Sequence, residues 1–217
     1  MINKNLQKRI ITSIALFFLL YLILKFEIIL ITSLIILGIL SITEFFSISV
    51  KICKNKLSLF ILNICFIFFI FFFCLIFLFA SSYLQSKILL ILLLIGCISS
   101  DIGGYIFGKI FGGPKLIKKI SPNKTFSGAI GSIFFSTFTI CFLVYYFNNT
   151  LSIKFFLLGI MTSIACQIGD LIISFLKRKA KIKDSGNIFP GHGGVLDRLD
   201  GIFIGVPVGF ISLILIF

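Results

Sequence analysis

The chain has 217 residues, of which 59% are hydrophobic and 12% charged, and its mean hydropathy is +1.21. Soluble globular domains carry about 45–50% apolar and about 25% charged residues, so the composition excludes that class, and with it nucleic-acid-binding globules, disordered chains and secreted disulfide scaffolds. The formal net charge of +13 therefore needs another explanation. The composition predicts an all-α, polytopic integral membrane protein.

Apolar runs of about twenty residues recur along the chain, and this is the length at which an α-helix crosses a hydrocarbon core of about 30 Å. Residues 25–27 alone separate the first two runs, which form either a tight hairpin or one mis-split segment. The fourth run is short, so we expect its helix to begin before Lys87 or to continue past Asp101. The seven predicted transmembrane helices are 10–24, 28–50, 57–80, 88–100, 128–147, 153–176 and 202–217.

The lysines and arginines are divided unevenly between alternate loops. With the N-terminus in the cytoplasm, 17 of the 20 lie in cytoplasmic segments, and only Lys25, Lys87 and Lys154 lie outside. Cytoplasmic loops of membrane proteins carry an excess of these residues, so the division predicts an inside N-terminus and an outside C-terminus. The basic loops also suit anionic lipid headgroups, which explains part of the net charge.

Two predicted cytoplasmic loops, 101–127 and 177–201, differ in composition from the other connections. They hold three of the four prolines, clustered glycines and most of the charge. Long loops in a small membrane protein are usually functional. We therefore divide the chain into N-terminal transmembrane helices (1–100) and a catalytic membrane region (101–217) that carries both loops.

The aspartates are concentrated in or beside these two loops. Asp170 is expected about 10 Å inside the sixth span, where a charge costs on the order of 2.5–3.5 kcal/mol and marks a functional site by default. A polar seam between packed helices is the alternative. The residues that share its helix stripe, at spacings of three and four, are Ser163, Gln167, Ser174 and Lys177. The five aspartates are Asp101, Asp170, Asp184, Asp197 and Asp200.

The second loop ends in the glycine-rich run Pro190-Gly191-His192-Gly193-Gly194, ahead of the last span. Asp197 and Asp200 follow on one helix face, where simple N-capping is the alternative to ligand binding. Carboxylates framed by cations suit a magnesium–phosphate site, because Mg²⁺ takes one or two carboxylates and completes its shell with water and phosphate oxygens. The framing cations are Lys177, Arg178 and Arg198.

Three further features leave more than one role open. His192, the only histidine, is a general base, a phosphate donor or a turn residue, and we favour phosphate or backbone contact. Asp184 is either a ligand or an ion-pair partner of Lys183 or Arg178. The Ser and Thr residues of the stretch Ser121–Gly128, which opens the fifth span, predict a helix cap, although the same helix N-terminus, with Lys124 and hydroxyls, also suits an anion.

The stretch from Ser174 to Asp200 resembles the signature of the phosphatidate cytidylyltransferases, also called CDP-diacylglycerol synthases. Further matches lie upstream, and the resemblance covers roughly residues 100–209. Asn123, Phe126 and Ser127 depart from the family pattern, which concerns the details of CTP contact. The matching residues are Asp101…Tyr105…Gly108, Ser121-Pro122-x-Lys124-Thr125, Gln167-x-Gly169-Asp170-Leu171, Ser174-x-Leu176-Lys177-Arg178, Lys183-Asp184-x-Gly186 and Phe189-Pro190-x-His192-Gly193-Gly194-Val195-x-Asp197-Arg198-Leu199-Asp200.

The resemblance implies an enzyme at the cytoplasmic face of a bacterial-type inner (plasma) membrane that transfers the cytidylyl group of CTP to phosphatidate, giving CDP-diacylglycerol and pyrophosphate. It implies Mg²⁺, with a second cation left open, and a homodimer, while no nucleic-acid partner is expected. The lipid phosphate is already an anionic nucleophile, so positioning, metal and cations suffice without a strong general base.

The resemblance implies the following site residues in this chain. The metal ligands are Asp170, Asp197 and Asp200. The other catalytic residues are Ser174, Lys177, Arg178, Arg198 and His192. The substrate-binding residues for CTP and phosphate are Asp101, Ser121, Lys124, Thr125, Lys183, Asp184, Gly193 and Gly194.

Two other functions share parts of this pattern. CDP-alcohol phosphotransferases also use intramembrane aspartates, but their D-G-x-x-A-R run is absent, and Asp200-Gly201 alone matches it. An ion-coupled transporter would use Asp170 as a cation relay. Transporter sites lie near the membrane midplane between repeated halves, whereas these aspartates are predicted at one face and no repeat is visible.

Overall fold

The computed structural model describes residues 18, 21–23, 25–149, 152–186, 188 and 193–216. These residues form six long helices and one β-hairpin, and each of the six helices is long and apolar enough to cross a membrane. The predicted class of all-α polytopic membrane protein is confirmed. The elements are α1 (Glu27–Ile52), α2 (Lys56–Ser82), α3 (Leu84–Ile110), β1 (Lys115–Ile117), β2 (Ser121–Thr125), α4 (Phe126–Asn148), α5 (Ile153–Lys179) and α6 (Leu196–Ile216).

The six helices correspond to the second to seventh predicted spans, with different ends. The first predicted span, 10–24, lies for the most part outside the described residues. At the boundary between the first two predicted spans, Phe26 alone is extended (φ −122°, ψ 118°), immediately before α1. The short fourth run, 88–100, belongs to a longer helix as expected, because α3 begins before Lys87 and continues past Asp101.

The predicted loop 101–127 begins later than its predicted first residue, Asp101. Asp101 lies inside α3, which continues to Ile110, so the predicted loop 101–127 is shortened to the hairpin and its short connections. Hydropathy marks where a helix leaves apolar surroundings, whereas the backbone hydrogen bonds of α3 continue through its polar last turns. The loop 177–201 is shortened for the same reason, because α5 runs to Lys179 and α6 begins at Leu196.

The described residues form two compact units. The first consists of the residues up to Ser82 together with Leu176–Leu199, and the second of Tyr83–Phe175 together with the residues from Asp200 onward. In the first unit α1 packs against α2, where the rings of Phe45 and Phe66 stack at 3.8 Å. The predicted division at residue 100 concerns function and stays a prediction.

In the second unit α3 and α4 pack along glycine-lined faces. A Cβ atom on Gly103 would lie 2.6 Å from the carbonyl oxygen of Gly131, and one on Gly128 would lie 2.8 Å from that of Gly104. Only glycine permits backbones to approach so closely, and small residues serve this purpose in membrane helices. The contact places the start of α4, and the hairpin that precedes it, beside the end of α3.

Helix α6 also packs closely within the second unit. A Cβ atom on Gly205 would lie 2.7 Å from the Cys97 sulfur of α3 and 3.4 Å from Cys166 Cβ of α5. One turn earlier, a Cβ atom on Gly201 would lie 3.1 Å from the Oδ1 atom of Asp170. The part of α6 that belongs to the second unit begins at Asp200, and this packing places its first residues against Asp170.

Candidate active site

Asp170, on α5, pairs with a lysine that the sequence placed in the predicted loop 101–127. The Nζ atom of Lys124, on β2, lies 2.7 Å from the Oδ2 atom of Asp170, and the two side chains are 30% and 18% exposed. The next residue, Thr125, caps α4 by accepting a hydrogen bond from the N–H of Gly128 at 3.1 Å. The predicted cap is confirmed, and since it fixes the end of β2, it also fixes the backbone from which Lys124 reaches Asp170.

A cavity of about 270 Å³ opens beside this ion pair in the second unit. Three of the predicted nucleotide-site residues, Asp101, Lys124 and Thr125, line it, together with Asp170. Gln167 completes the same wall and donates hydrogen bonds to Ala129 O at 3.2 Å and Ser163 Oγ at 3.3 Å. The cavity therefore combines cationic, anionic and amide groups, as a site for a polar phosphate-bearing ligand requires.

Carboxylates accumulate at one end of this region. The carboxyl groups of Asp170 and Asp200 lie at hydrogen-bonding distance, and Asp101 is close enough to act on Asp200 electrostatically. The Cys166 sulfur lies 3.7 Å from the Oδ1 atom of Asp101. Carboxyl groups this close disfavour each other's charged form, a cost that a cation offsets, and Lys124 supplies one positive charge at Asp170.

The donor atoms here fit Mg²⁺. Within the part of the chain that the structure describes, no group of three or more His, Cys, Asp or Glu side chains is arranged to hold a metal ion by itself. Magnesium does not need such a group, because one or two carboxylates usually bind it together with water and substrate phosphates. Asp170 and Asp200 supply two adjacent carboxylates of this kind. The predicted three-aspartate set, and the magnesium itself, stay predictions.

Asp197 belongs to a separate cluster in the first unit. Its Oδ1 atom accepts a hydrogen bond from Lys177 Nζ at 2.6 Å, and the two side chains are 7% and 12% exposed. Its Oδ2 atom accepts three hydrogen bonds, from Ser185 N at 2.8 Å, Ser185 Oγ at 3.0 Å and Gly194 N at 3.1 Å. Asp197 therefore ties the end of α5 and the residues on both sides of 187–192 to the first turn of α6.

The predicted polar stripe of α5 serves more than one purpose. Ser163 shares a hydrogen bond of 2.8 Å with Ser100 of α3. Together with the Gln167 contact to Ala129, this bond forms a polar seam between helices, which was the alternative interpretation of the stripe. Further along the same helix, Asp170 reaches the cavity and Lys177 reaches Asp197. The seam and the candidate site occupy successive turns of one helix.

The remaining predicted residues have diverse environments. Gly193 has a positive φ of 82°, and a Cβ atom there would lie 2.7 Å from the Oδ2 atom of Asp197. The N–H of Gly194 is engaged by Asp197, so its predicted contact with phosphate stays a prediction. Ser174 is half-buried, Ser121 begins β2, and His192 lies outside the described residues. The exposed members of the predicted set are Asp101, Arg178, Lys183, Asp184 and Arg198.

Two features of these clusters were missed from the sequence. The first is the pairing of Lys124 with Asp170, two residues that lie 46 positions apart in the chain. The second is Glu44, a buried carboxylate of α1 that contacts Ser185 and the start of α6. The only sequence signal for Glu44 was a charge in the middle of an apolar run, and that signal names no partner.

Comparison with known proteins places the chain in a family. A family model described as the cytidylyltransferase family matches residues 2–216. The phosphatidate cytidylyltransferase of Rickettsia bellii (strain RML369-C) is 46% identical over 121 residues, which cover 52% of this chain and 52% of that protein. The proteins of the same name from Rickettsia typhi (strain ATCC VR-144 / Wilmington) and Staphylococcus aureus (strain COL) are 45% and 43% identical over 139 and 117 residues.

These two matches cover 58% and 53% of this chain, and 59% and 45% of the respective relatives. The chain thus spans about half the length of the curated relatives it matches. The family model, by contrast, covers nearly the whole sequence, including every residue of the two clusters described above. On that match, the chain belongs to the cytidylyltransferase family.

Proposed function

We propose that the protein transfers the cytidylyl group of CTP to phosphatidate, giving CDP-diacylglycerol and pyrophosphate. The observation that carries the proposal is the cavity of about 270 Å³ beside the Lys124–Asp170 ion pair, in a multi-pass membrane protein of the cytidylyltransferase family. A phosphate-binding cation, paired carboxylates and a lipid environment are the three things this reaction needs. The names of the relatives support the same choice of substrates.

In the proposed reaction an oxygen of the phosphatidate phosphate attacks the α-phosphorus of CTP. One phosphorus–oxygen bond forms, the bond between the α-phosphorus and the bridging oxygen breaks, and pyrophosphate leaves with the bonding electrons. The nucleophile is already an anion, so no side chain has to remove a proton. The protein then contributes mainly orientation and positive charge, which are the main requirements of phosphoryl-type transfer.

Lys124 is the cation that we assign to the CTP phosphates in the cavity. Its ammonium group is only partly buried, at 30% side-chain exposure, and can exchange the carboxylate of Asp170 for a phosphate oxygen. Lys177, Arg178 and Arg198 are the further phosphate-binding residues, assigned from the family signature. Cationic groups placed against phosphates stabilise the charge that develops on the leaving group.

Asp170 and Asp200 would hold Mg²⁺, with Asp197 as the third ligand implied by the family signature. The ion would neutralise and orient the phosphate oxygens. Without it, the carboxylate of Asp170 would face the triphosphate, and the neighbouring side chains of Asp170 and Asp200 would disfavour each other's charged form. Lys124 offsets one of these charges only. The excess of negative charge is the reason why we expect catalysis to depend on a divalent cation.

We also propose an inside N-terminus, an active site at the cytoplasmic face of an inner (plasma) membrane, and a homodimer. The orientation is supported by basic residues in the last turns of the helices that approach this face, with Lys109 in α3 and Lys177, Arg178 and Lys179 in α5. The positive-inside rule assigns these turns to the cytoplasm. The homodimer is supported by the family resemblance, and the mass of the purified protein in detergent tests it.

The proposed reaction is tested with the full chain in liposomes that contain phosphatidate. We expect radiolabelled CTP to be converted to a lipid product that requires both phosphatidate and Mg²⁺ and is lost with EDTA. Asp170→Asn should abolish the product, whereas Glu27→Gln, a charge removal at an exposed position of α1, should not. Consumption of CDP-diacylglycerol instead of CTP would indicate a phosphotransferase. Cation flux without CTP turnover would indicate a transporter, and either result rejects the proposal.

A further inference from the structure

Glu44 is a carboxylate of the first unit that the proposed reaction does not use directly. It lies on α1, eight residues before the end of that helix, and is 6% exposed. Its Oε1 atom accepts a hydrogen bond from Val195 N at 2.9 Å, and its Oε2 atom accepts from Leu196 N at 3.0 Å and Ser185 Oγ at 2.7 Å. All three partners belong to the segment that carries the family signature.

These contacts make Glu44 the N-terminal cap of α6, although it belongs to a different helix. The first turn of a helix has N–H groups without intrahelical partners, and acids usually satisfy them from the preceding residues of the same chain segment. Here the acid comes from 151 residues earlier in the chain. Among the described residues, the three donors to Glu44 are uncharged, so its charge is stabilised by them and by the dipole of α6.

Ser185 connects Glu44 to Asp197. Its hydroxyl group lies 2.7 Å from Glu44 Oε2 and 3.0 Å from Asp197 Oδ2, and its N–H donates to the same Asp197 oxygen at 2.8 Å. A hydroxyl has one proton, so the two carboxylates share it. Movement of Glu44 would therefore displace Ser185 and, with it, two of the three donors that hold Asp197 Oδ2.

The two oxygens of Asp197 have different surroundings. Oδ2 accepts three hydrogen bonds, whereas Oδ1 accepts one, from Lys177, among the described residues. A carboxylate oxygen has about two lone-pair sites, so Oδ1 keeps one for a ligand while Oδ2 is fully used. The network that begins at Glu44 thus fixes the orientation of the carboxylate and leaves its Oδ1 side available.

The glycines of this segment fit around the Glu44 carboxylate. A Cβ atom on Gly186 would lie 2.6 Å from Glu44 Oε1, and one on Gly194 would meet both carboxylate oxygens of Glu44 and the Ser185 hydroxyl. Glycine is therefore required at Gly186 and Gly194, because a Cβ atom at either position would collide with the carboxylate of Glu44. The sequence assigned Gly194 to a substrate phosphate, and in the structure the anion in contact with it is the carboxylate of Glu44 on α1.

We propose that Glu44 is a positioning residue of the cytidylyl-transfer site. It holds Ser185 and the first turn of α6, and through them it sets the orientation of Asp197 and its ion pair with Lys177. The catalytic part of this inference rests on the proposed function, but the positioning part does not. Glu44 itself touches no substrate, so its removal should change the behaviour of Asp197 and leave the cavity of the second unit intact.

The test compares the wild type with Glu44→Gln and with the control Glu27→Gln, which makes the same change at an exposed position of the same helix. Glutamine retains the size of the side chain, but its amide nitrogen faces N–H groups that need an acceptor. We expect faster hydrogen–deuterium exchange of the amides in residues 193–199 of Glu44→Gln in nanodiscs. Protection of α2 and α4 should match the wild type.

The same proteins are assayed for CDP-diacylglycerol formation at varied Mg²⁺. In Glu44→Gln we expect kcat to fall about 100-fold, the effect of a displacement near 1 Å at a reacting centre. The Mg²⁺ concentration at half-maximal rate should rise about tenfold, because Asp197 is no longer oriented. A loss of folded protein would lower the rate and leave this concentration unchanged. Glu27→Gln should match the wild type in both quantities.

Unchanged exchange in residues 193–199 of Glu44→Gln would show that Glu44 does not hold this segment. Faster exchange with a wild-type kcat and Mg²⁺ dependence would show that the segment's position does not matter for the reaction. Either result overturns the inference. If the wild type makes no CDP-diacylglycerol, the proposed function fails, and the exchange measurement still decides whether Glu44 positions the segment.

A second pair of variants covers the case in which Glu44→Gln does not fold. Ser185→Ala removes the hydroxyl between the two carboxylates, and Ser41→Ala removes a buried hydroxyl whose hydrogen bond goes to Leu37 O of its own helix. We expect Ser185→Ala to lower kcat about tenfold, the equivalent of one hydrogen bond to a charged group, and Ser41→Ala to have no effect. Equal activity of the two variants would overturn the inference.

Discussion

Removal of either partner of the ion pair between Lys177 and Asp197 should destabilise the protein, and the size of the loss should depend on which partner is removed. Both side chains are nearly buried, at 12% and 7% exposure. Removal of one partner from a buried pair leaves an uncompensated charge and typically costs about 3–5 kcal/mol. The two possible deletions should lie at different ends of this range, because the remaining partner is supported differently in each.

In Lys177→Met the charge of Asp197 remains, and three donors still bind its Oδ2 atom. We therefore expect a loss of about 3 kcal/mol in the free energy of unfolding. In Asp197→Ala the ammonium group of Lys177 loses the carboxylate 2.6 Å away, and the N–H groups of Ser185 and Gly194 lose their acceptor. We expect this variant to lose about 5 kcal/mol.

The assay is reversible unfolding of the purified protein by SDS in mixed micelles, followed by circular dichroism. The double variant Lys177→Met/Asp197→Ala completes a mutant cycle, and its loss should be smaller than the sum of the two single losses, because no charge is left without a partner. Equal losses in the two single variants, or a larger loss in Lys177→Met, would refute the reasoning. So would strict additivity in the double variant.

Three further predictions concern packing, chemistry and topology. Gly103→Ala should lower the thermal stability, because its Cβ would lie 2.6 Å from a backbone oxygen of α4. The control Gly38→Ala should not, because the atom nearest its Cβ would be the Ile70 methyl at 3.3 Å. Equal melting temperatures of the two variants would contradict the packing. Lys124→Met should lower kcat/KM for CTP about 100-fold, whereas Lys56→Met, at an exposed position, should keep the wild-type value. Full activity of Lys124→Met would show that Lys124 is not part of the site. In a cysteine-free background, Asn149→Cys should react with a membrane-impermeant thiol reagent added outside intact cells and Asn55→Cys should not; the reverse labelling would invert the topology.

The helices could be predicted from the sequence because a single physical quantity, the hydropathy of a run of residues, determines where a chain crosses a membrane. The same principle explains why the two loops were predicted too long, since α3 continues through polar sequence to Ile110 and α6 begins in polar sequence at Leu196. The Thr125 cap was predictable because capping is a local interaction with the next turn. These successes all involve residues that are neighbours along the chain.

The side-chain pairings were not predictable for the opposite reason. Lys124 and Asp170 are 46 residues apart, and Glu44 and Ser185 are 141 residues apart. Such contacts depend on which helices pack together and on their rotation, and hydropathy contains no information about either. The spacing of Asp197 and Asp200 contained no information about their partners, and it did not predict that Asp197 would bind Ser185 and Lys177.

The buried and half-buried acids of this chain fall into two kinds, which can be distinguished by their donors. Glu44 is bound by three neutral donors that belong to the segment it holds, so its charge stabilises a local conformation. Asp170 is bound by a half-exposed lysine beside a cavity and faces a second carboxylate, so its charge remains available to a ligand. Asp197 combines the two kinds, with one oxygen saturated by the segment and the other shared with Lys177. A membrane protein with only seven acidic residues can thus use one carboxylate to orient another, and the loss of an acid that never touches the substrate should be felt at the reacting phosphates.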